Sequence, residues 1–310
     1  MKRLRLAAGL AAGIVALTLT GCGGDEPTDK PNGTLAVVAS FYPLQFVAQR
    51  VGGDAVSVAN LTKPGGEPHD LELAPADVAG LARADLVVYQ AGFQPAVDDA
   101  VKQEVDAAKA IDVVPAAKLE PVGEPVLGKG DHAEDRDSLD PHFWLDPTRL
   151  ADVGDAVATR LAEIDPARAS SYSANADELR ADLDELDGHV AGILSSCRSR
   201  ELVTAHDAFG YLARSYELTE VAIAGLSPDV EPSAQHLAEV AKYVKDYDVG
   251  TIFYETLVSP EVAETVAAET GAKTAVLDPI EGITDTSAGK DYLAVMTANL
   301  DALEKGLRCD

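Results

Sequence analysis

Short apolar runs alternate with amphipathic, helix-like stretches along most of the chain from Thr34 onward. Strands that alternate with helices in this way are typical of βαβ units, which assemble into parallel sheets. Four apolar runs lie in the first half of the chain and four in the second half. The predicted strands are Leu35–Ala39, Val56–Leu61, Leu86–Tyr89, Ile111–Val114, Leu202–Ala205, Val221–Ala224, Thr251–Tyr254 and Thr274–Leu277.

The longest helical pattern lies between these two sets of strands. Apolar residues from Tyr172 to Ile193 recur at intervals of four and three residues, and the acidic residues of the segment fall off that stripe. We expect one helix from about Ala167 to Ser196, roughly 45 Å long at about 1.5 Å per residue, with a one-sided apolar face. A shorter helix that belongs to one lobe is the alternative. The predicted fold is α/β, with two lobes, each a parallel sheet with flanking helices, joined by one long α-helix.

The N-terminal residues have the pattern of an export signal. A basic start at positions 2–5 precedes an apolar run that ends at Leu19, and this run is too short to span a bilayer. A small residue followed directly by Cys22 predicts a lipoprotein signal peptide over residues 1–21, with acylation of Cys22. An ordinary signal peptide with an accidental cysteine is the alternative. Residues 22–33, polar and rich in turn formers, are predicted to be a flexible tether.

The acidic composition limits the choice of partners. Removal of residues 1–21 would take away three positive charges and change the formal net charge from −27 to −30. Such a chain is not expected to bind nucleic acid, because phosphate binding requires clustered Lys and Arg.

We expect an extracytoplasmic monomer, with an N-terminal lobe over residues 34–165, a connecting helix over 166–196 and a C-terminal lobe over 197–310.

Two cysteines remain once Cys22 is assigned to the lipid. Cys197 continues the apolar stripe of the long helix, four residues after Ile193, and Cys309 follows the predicted closing helix, Ala288–Leu307. Because thiols outside the cytoplasm tend to oxidise, we expect a disulfide between Cys197 and Cys309. Two unpaired cysteines are the alternative.

The stretch DPHFWLDP, at positions 140–147, holds the single tryptophan, two prolines, two carboxylates and a histidine. The prolines make the backbone extended and stiff. Such a frame can fix the imidazole of His142, with Asp140 or Asp146 near enough to bond its second nitrogen, as metal-binding histidines require. A rigid turn with a surface histidine is the alternative.

Three potential metal ligands follow predicted strands, and a fourth lies in the stretch at positions 140–147. In open parallel sheets, ligands bind beyond the carboxyl ends of the strands. Two candidates come from each half of the chain, so a site that contains all of them must lie between the lobes. Three imidazoles and one carboxylate suit Zn²⁺, whereas manganese would favour more oxygen ligands. Singly, each residue has an ordinary structural explanation, such as a loop histidine or a turn former. The candidates are His69, His142, His206 and Asp278.

Other polar residues are candidates for weaker roles. His189 and His236 are predicted to be exposed, and His132 lies in an acidic loop that spans residues 121–139. Carboxylates that could support the ligands through hydrogen bonds are Glu67, Asp146, Asp207 and Glu255.

Seven segments, in order along the chain, resemble motifs of the ABC-transporter metal-binding lipoproteins, the ZnuA/TroA-like family. The resemblance covers nearly the whole mature chain. It implies two α/β lobes joined by one long helix, a metal ion in the cleft and delivery of that ion to an ABC permease. The segments are Val37–Pro43, Gly66–Pro75, Asp140–Pro147, Thr204–Tyr211, Gly225–Pro232, Tyr254–Pro260 and Leu277–Pro279.

The resemblance implies that His69, His142, His206 and Asp278 match the metal-ligand positions of the family. A histidine at position 206 is similar to the zinc-binding members, whereas manganese-binding members tend to carry Glu there. The loop over residues 121–139 departs from the family pattern, because it has one histidine among acidic residues where zinc-binding members often have many.

The resemblance leaves three alternative functions to weigh. The first is uptake of manganese or iron(II) by a protein of the same class. The second is an exported zinc hydrolase, but the sequence has no HExxH or GxSxG motif, and four protein ligands leave no open position for a catalytic water. The third is an adhesin, which a lipid anchor permits and no residue pattern supports.

Overall fold

The computed structural model describes residues 33–127 and 138–310 of the protein. The predicted signal peptide, Cys22, nearly all of the tether and His132 lie outside the described residues. Within the two described ranges, no helix is long and apolar enough to cross a bilayer.

The described strands form two parallel sheets of four strands each, one in each half of the chain. The strand orders are β2-β1-β3-β4 and β6-β5-β7-β8, so the two lobes share one topology. The prediction of two α/β lobes with parallel sheets is therefore confirmed. The strands are β1 (Leu35–Ala39), β2 (Val56–Asn60), β3 (Leu86–Tyr89), β4 (Ala110–Asp112), β5 (Glu201–Thr204), β6 (Thr219–Ala222), β7 (Thr251–Tyr254) and β8 (Lys273–Val276).

Helices flank both sheets, and several begin where the sequence provides a start signal. Proline occupies the first turn of α1, α2, α3 and α5, where its missing N–H is tolerated, and side chains of Asp and Ser cap α5, α8 and α10. The helices are α1 (Tyr42–Gly52), α2 (Pro75–Arg83), α3 (Pro95–Glu104), α4 (Val114–Ala117), α5 (Pro147–Ile164), α6 (Ala169–Leu194), α7 (Gly210–Ser215), α8 (Ala234–Asp246), α9 (Glu261–Thr270) and α10 (Tyr292–Gly306).

Five strands end one or two residues before the predicted bounds, and the differences of two residues occur at β4 and β6. The strand predicted to end at Val114 ends at Asp112, because the Asp112 carboxylate accepts the backbone N–H of Val114 at 3.0 Å and starts a helical turn. In the second lobe, β6 begins earlier and ends at Ala222. Ile223 still donates to the carbonyl of Thr204 at 2.9 Å, so the apolar run continues past the assigned strand.

The connecting helix α6 has the predicted one-sided stripe, with Tyr172, Leu179 and Val190 among its buried residues. It packs along α5, where a Cβ at Gly154 would lie 3.1 Å from the Leu179 side chain. The glycine therefore permits the close approach of the two helices. The helix is slightly shorter than predicted, since residues Pro166–Arg168 form a separate 3₁₀ turn.

One continuous core joins the two lobes, so they are held together by more than α6. Trp144 of the first lobe is fully buried, and its indole Nε1 donates to the carbonyl of Pro279 in the second lobe at 2.7 Å. Tyr292, at the start of α10, donates to the carbonyl of Trp144 at 2.5 Å and stacks on Phe46. These contacts connect the loop after β8 directly to the first lobe.

The predicted disulfide between Cys197 and Cys309 is present. It ties the chain just after α6 to the C-terminus just after α10 and closes a segment with a sequence separation of 112. Both cysteines lie near the amino-terminal end of β5, which is the edge of the sheet opposite to the expected ligand edge. The bridge therefore secures the end of the closing helix without contacting the candidate ligands.

Replacing both cysteines with alanine should lower the stability of the protein while leaving metal affinity unchanged. The chain-entropy model gives about 4–5 kcal/mol for a loop of this length, although measured bridges often contribute less. Thermal unfolding of the double variant Cys197→Ala/Cys309→Ala measures the loss. An unchanged midpoint, or a parallel loss of metal affinity, would contradict this view of the bridge.

Candidate metal centre

Four side chains converge between the lobes, at the carboxyl ends of the strands. Their candidate ligand atoms all lie within 4.8 Å of one another. The Oε1 atom of Glu281 is 3.2 Å from Nε2 of His69, 3.4 Å from Nε2 of His142 and 3.6 Å from Nε2 of His206. The imidazoles of His142 and His206 are buried, as is Glu281, whereas the His69 side chain is 9% exposed. We call these four residues the cluster.

His69, His206 and Glu281 are carried by loops that leave strand ends, and His142 lies in the irregular segment between α4 and α5. His69 lies in the loop after β2, directly after Pro68, and its ring packs edge-on against Phe93 at 4.8 Å. His142 precedes the 3₁₀ turn Phe143–Leu145, and His206 follows β5 by two residues. Because both sheets present their carboxyl edges to the same space, residues far apart in sequence meet there.

Two carboxylates orient two of the imidazoles from behind. Nδ1 of His142 lies 3.0 Å from Oδ1 of Asp140, and Nδ1 of His206 lies 2.6 Å from Oε1 of Glu255. These contacts leave both Nε2 atoms directed at the cluster, as in carboxylate–histidine–metal arrangements. Of the two aspartates considered for His142, Asp140 makes the contact.

Asp278, expected as the fourth ligand, is not among the four converging side chains. Its carboxylate accepts the N–H of Ile280 at 2.7 Å and the hydroxyl of Thr256 at 3.1 Å. This is the turn-forming role that the sequence left open for it, because Asp side chains commonly bond a backbone N–H two residues on. Ile280 then adopts a left-handed φ of 60° and the chain reverses, which brings Glu281 into the cluster instead.

The remaining candidate carboxylates differ in their distance from the cluster. Glu67 accepts the backbone N–H of His69 at 2.9 Å, and burial together with the charge of Glu281 raises its pKa to about 8. Asp146 caps α5 through the N–H groups of Thr148 and Arg149 and does not contact His142. Asp207 faces Glu220, and burial, with the nearby charge of Asp140, raises its pKa. Of these three, only Glu67 is directly beside the cluster.

The histidines outside the cluster divide between surface and interior. His189 is exposed on α6, as predicted. The prediction for His236 was wrong, because this residue is 5% exposed and its Nε2 lies 3.0 Å from the carbonyl oxygen of Ala222. Its place at the start of α8, packed over the end of β6, explains the burial.

In the cluster, burial and neighbouring charges shift the pKa values of the three imidazoles and of Glu281 in opposite directions. Burial alone would lower the pKa of His206, but the charge of Glu255, the hydrogen bond to Glu255 and the nearby carboxylate of Glu281 raise it well above the usual value. For His142, burial is likewise outweighed, chiefly by Asp140, and the pKa is raised. For His69 burial prevails and the pKa is lowered. Burial would raise the pKa of Glu281, yet the three imidazoles hold it well below its usual range.

Several buried polar atoms in and beside the cluster lack a hydrogen-bond partner within the described part of the chain. They include Nε2 of His206, Oε2 of Glu281 and Oε2 of Glu67. Unsatisfied buried polar atoms are costly, and a cation bound among them would supply the missing partner. Three imidazole nitrogens and one carboxylate form the closed set that Zn²⁺ takes with tetrahedral geometry. Fold and site together define a two-lobed protein that binds a metal ion between its lobes.

Comparison with known proteins identifies the family. A model of the family described as zinc-uptake complex component A, periplasmic (ZnuA), matches residues 37–306. The chain is 35% identical over 305 residues to the high-affinity zinc uptake system protein ZnuA of Bacillus subtilis, with 94% of each sequence covered. It is 37% identical over 314 residues to the zinc-binding lipoprotein AdcA of Streptococcus pneumoniae, where the match covers 98% of this chain and 61% of AdcA. The chain therefore belongs to the ZnuA family.

Solved structures agree with this assignment. The Zn(II)-bound ZnuA-like domain of Streptococcus pneumoniae AdcA matches with a TM-score of 0.73 and 34% identity, over 89% of this chain and 99% of that domain. The laminin-binding protein Lmb of Streptococcus agalactiae, described as bifunctional with adhesin and metal-transporting activity, matches with a TM-score of 0.75 and 31% identity, over 88% of this chain and 99% of Lmb.

Metal affinity should fall as the pH is lowered, starting above the pKa of about 6.5 that is usual for a free imidazole. In the metal-free protein the neighbouring carboxylates outweigh burial and raise the pKa values of His142 and His206, so a metal ion competes with protons for both imidazoles. Replacing Glu255 with Gln removes the charge that raises the pKa of His206. Zinc titrations over a pH series should therefore show the affinity of Glu255→Gln levelling off at a lower pH than the parent. An identical pH profile would contradict this assignment.

Proposed function

We propose that this protein captures Zn²⁺ between its lobes and delivers it to an ABC permease for uptake. The observation that carries the proposal is the buried cluster of three imidazoles and one carboxylate, whose ligand atoms already lie within 4.8 Å of one another. Membership of the zinc-uptake family supports the same function. Metal analysis of the purified protein, after chelator treatment and reloading, tests it: one zinc ion per chain is expected.

The ligands that we propose are His69, His142, His206 and Glu281. Asp278 supports the site indirectly, because its carboxylate and its backbone fix the turn that presents Glu281. Asp140 and Glu255 orient two of the imidazoles through their second nitrogens. Four residues thus bind the ion, and Asp140, Glu255 and Asp278 hold those ligands in position.

The ligand set argues for transport rather than catalysis. Zinc enzymes keep one coordination position open for water or substrate, whereas four protein ligands fill a tetrahedral site. The family is one of substrate-binding proteins. We therefore propose that the ion is cargo and that the protein is not a hydrolase.

We propose that the protein is located outside the cytoplasmic membrane. Acylation of Cys22 would anchor the chain, and residues 22–33 would tether a monomeric two-lobed body to the membrane surface. Relatives described as zinc-binding lipoproteins support the anchor. Mass analysis of Cys22 in protein extracted from membranes tests it directly.

An adhesin role is a second candidate, favoured by the similarity to Lmb. Binding to immobilised laminin, compared between the zinc-loaded and the zinc-free protein, is the discriminating measurement. Saturable binding would add this function to zinc capture, and its absence would remove it.

Replacing Glu281 with Ala should weaken zinc binding by more than the roughly 10- to 100-fold typical of residues that only support a ligand. Replacing Asp278 with Asn should have the smaller effect, because Asn keeps an oxygen that can accept the Ile280 N–H. Competition titrations against a zinc chelator measure both losses. A larger loss for Asp278→Asn than for Glu281→Ala would restore Asp278 as the fourth ligand.

Replacing His206 with Glu should shift the metal preference from zinc towards manganese, since a hard oxygen replaces a nitrogen donor. The same variant addresses the alternative of manganese or iron(II) uptake. Parallel titrations with Zn²⁺, Mn²⁺ and Fe²⁺ give the ranking for parent and variant. If the parent already preferred manganese, or if the ranking did not move, the proposed selectivity would be wrong.

A further inference from the structure

Two buried glutamines lie under the loops that carry the two histidines of the first lobe. Gln90 follows β3 directly, and Gln94 stands at the start of α3. Both are almost fully buried, at 2% and 1% exposure. Neither belongs to the cluster, and the sequence pattern predicts no role for either.

Each glutamine donates to the carbonyl of the proline that precedes a histidine of the cluster. Nε2 of Gln94 lies 3.1 Å from the carbonyl oxygen of Pro68, which precedes His69. Nε2 of Gln90 lies 3.0 Å from the carbonyl oxygen of Pro141, which precedes His142. The same contact therefore occurs twice, four residues apart in sequence.

We propose that Gln94 and Gln90 are positioning residues for the metal ligands His69 and His142, and that Gln94 limits the rate at which the ion leaves. This inference rests on the proposed function.

The physical basis is the planarity of the peptide bond. The carbonyl of a proline and the N–H of the following histidine belong to one rigid unit, which also contains the Cα of the histidine. A donor that fixes the carbonyl oxygen therefore fixes the plane from which the imidazole extends. The donor and the acceptor are both buried. Displacement of the loop would therefore leave both without a hydrogen-bond partner, and water could not replace the lost bond.

The two glutamines should not be equally important. His142 has additional restraints, since Asp140 accepts both its backbone N–H and its ring Nδ1 at 3.0 Å. His69 lies in a loop without helix or strand, at the more exposed side of the cluster. Loss of the bond from Gln94 would therefore free the ligand at the more exposed side of the cluster.

Gln94 is itself anchored, which makes it an effective support. Its Nε2 also lies 3.2 Å from the hydroxyl of Thr62, and this hydroxyl donates to the carbonyl of Ser40 at 2.8 Å. Ser40 and Thr62 follow β1 and β2. Gln94 thus connects the His69 loop to the carboxyl ends of β1 and β2.

The test compares Gln94→Met and Gln90→Met with the parent. Methionine keeps the length of the side chain in an apolar setting but cannot donate. Asn175→Leu is the control, because the Asn175 amide on α6 donates to the carbonyl of Val51 in α1 at 2.9 Å, away from the cluster. The measurements are zinc affinity, the zinc dissociation rate, the thermal midpoint of the zinc-free protein and the absorption spectrum of the Co²⁺-substituted protein.

We expect Gln94→Met to weaken zinc binding about tenfold, as for other outer partners of metal ligands, with faster dissociation as the main cause. Its Co²⁺ spectrum should change, and its zinc-free midpoint should stay within the shift seen for Asn175→Leu. Gln90→Met should show a smaller loss of affinity, and Asn175→Leu none. A variant that only disturbed the fold would lower the midpoint and leave the spectrum unchanged.

Parent-like affinity and dissociation for Gln94→Met would overturn the inference while leaving the proposed function intact. An equal loss of affinity in Asn175→Leu would also overturn it, because the effect would then be general. Failure of the parent itself to bind zinc would refute the proposed function first. If Gln94→Met does not fold, Thr62→Val carries the test, since it removes the hydroxyl that restrains the Gln94 amide; parent-like dissociation would again count against the inference.

Discussion

The site depends on a single carboxylate held among three imidazoles in a place that water does not reach. The three imidazoles outweigh burial and hold the pKa of Glu281 well below its usual range, while Glu255 and Glu281 raise the pKa of His206 well above its usual value. The buried carboxylate and the imidazoles thus stabilise charge on one another. A bound cation enters a frame that is already polar, rather than creating a charged site in an apolar core.

The frame is fixed because buried N–H donors hold the backbone on both sides of the cleft. Gln94, Gln90 and the indole of Trp144 each donate to a prolyl carbonyl, and each of these prolines lies one or two residues before a member of the cluster. Proline has a restricted φ and no N–H, so its carbonyl is the group through which such a segment can be anchored. Rigid loops and a core shared by both lobes together keep the four side chains close.

Much of this architecture is visible in the sequence, and the exceptions have specific physical causes. Apolar runs predict the strands and the stripe from Tyr172 predicts α6. Strand ends predict His69 and His206, and the proline-framed stretch at 140–147 predicts His142. Glu281 could not be found in this way, because it lies five residues after β8, beyond a turn that depends on the left-handed backbone of Ile280. The Asp-Pro pair at 278–279 was the available signal, but it indicates a turn as readily as a ligand. The burial of His236 depends on how α8 packs, which local sequence does not encode.

The position of the single tryptophan has an optical consequence. Trp144 is fully buried, its ring centre lies 5.3 Å from that of His142, and its N–H bonds the loop that presents Glu281. The emission of a lone indole reflects the charge and the rigidity of its immediate surroundings. A divalent ion bound beside His142 would change both, in a chain with no second indole to obscure the signal. The protein therefore contains its own fluorescent reporter of metal occupancy, without any attached dye.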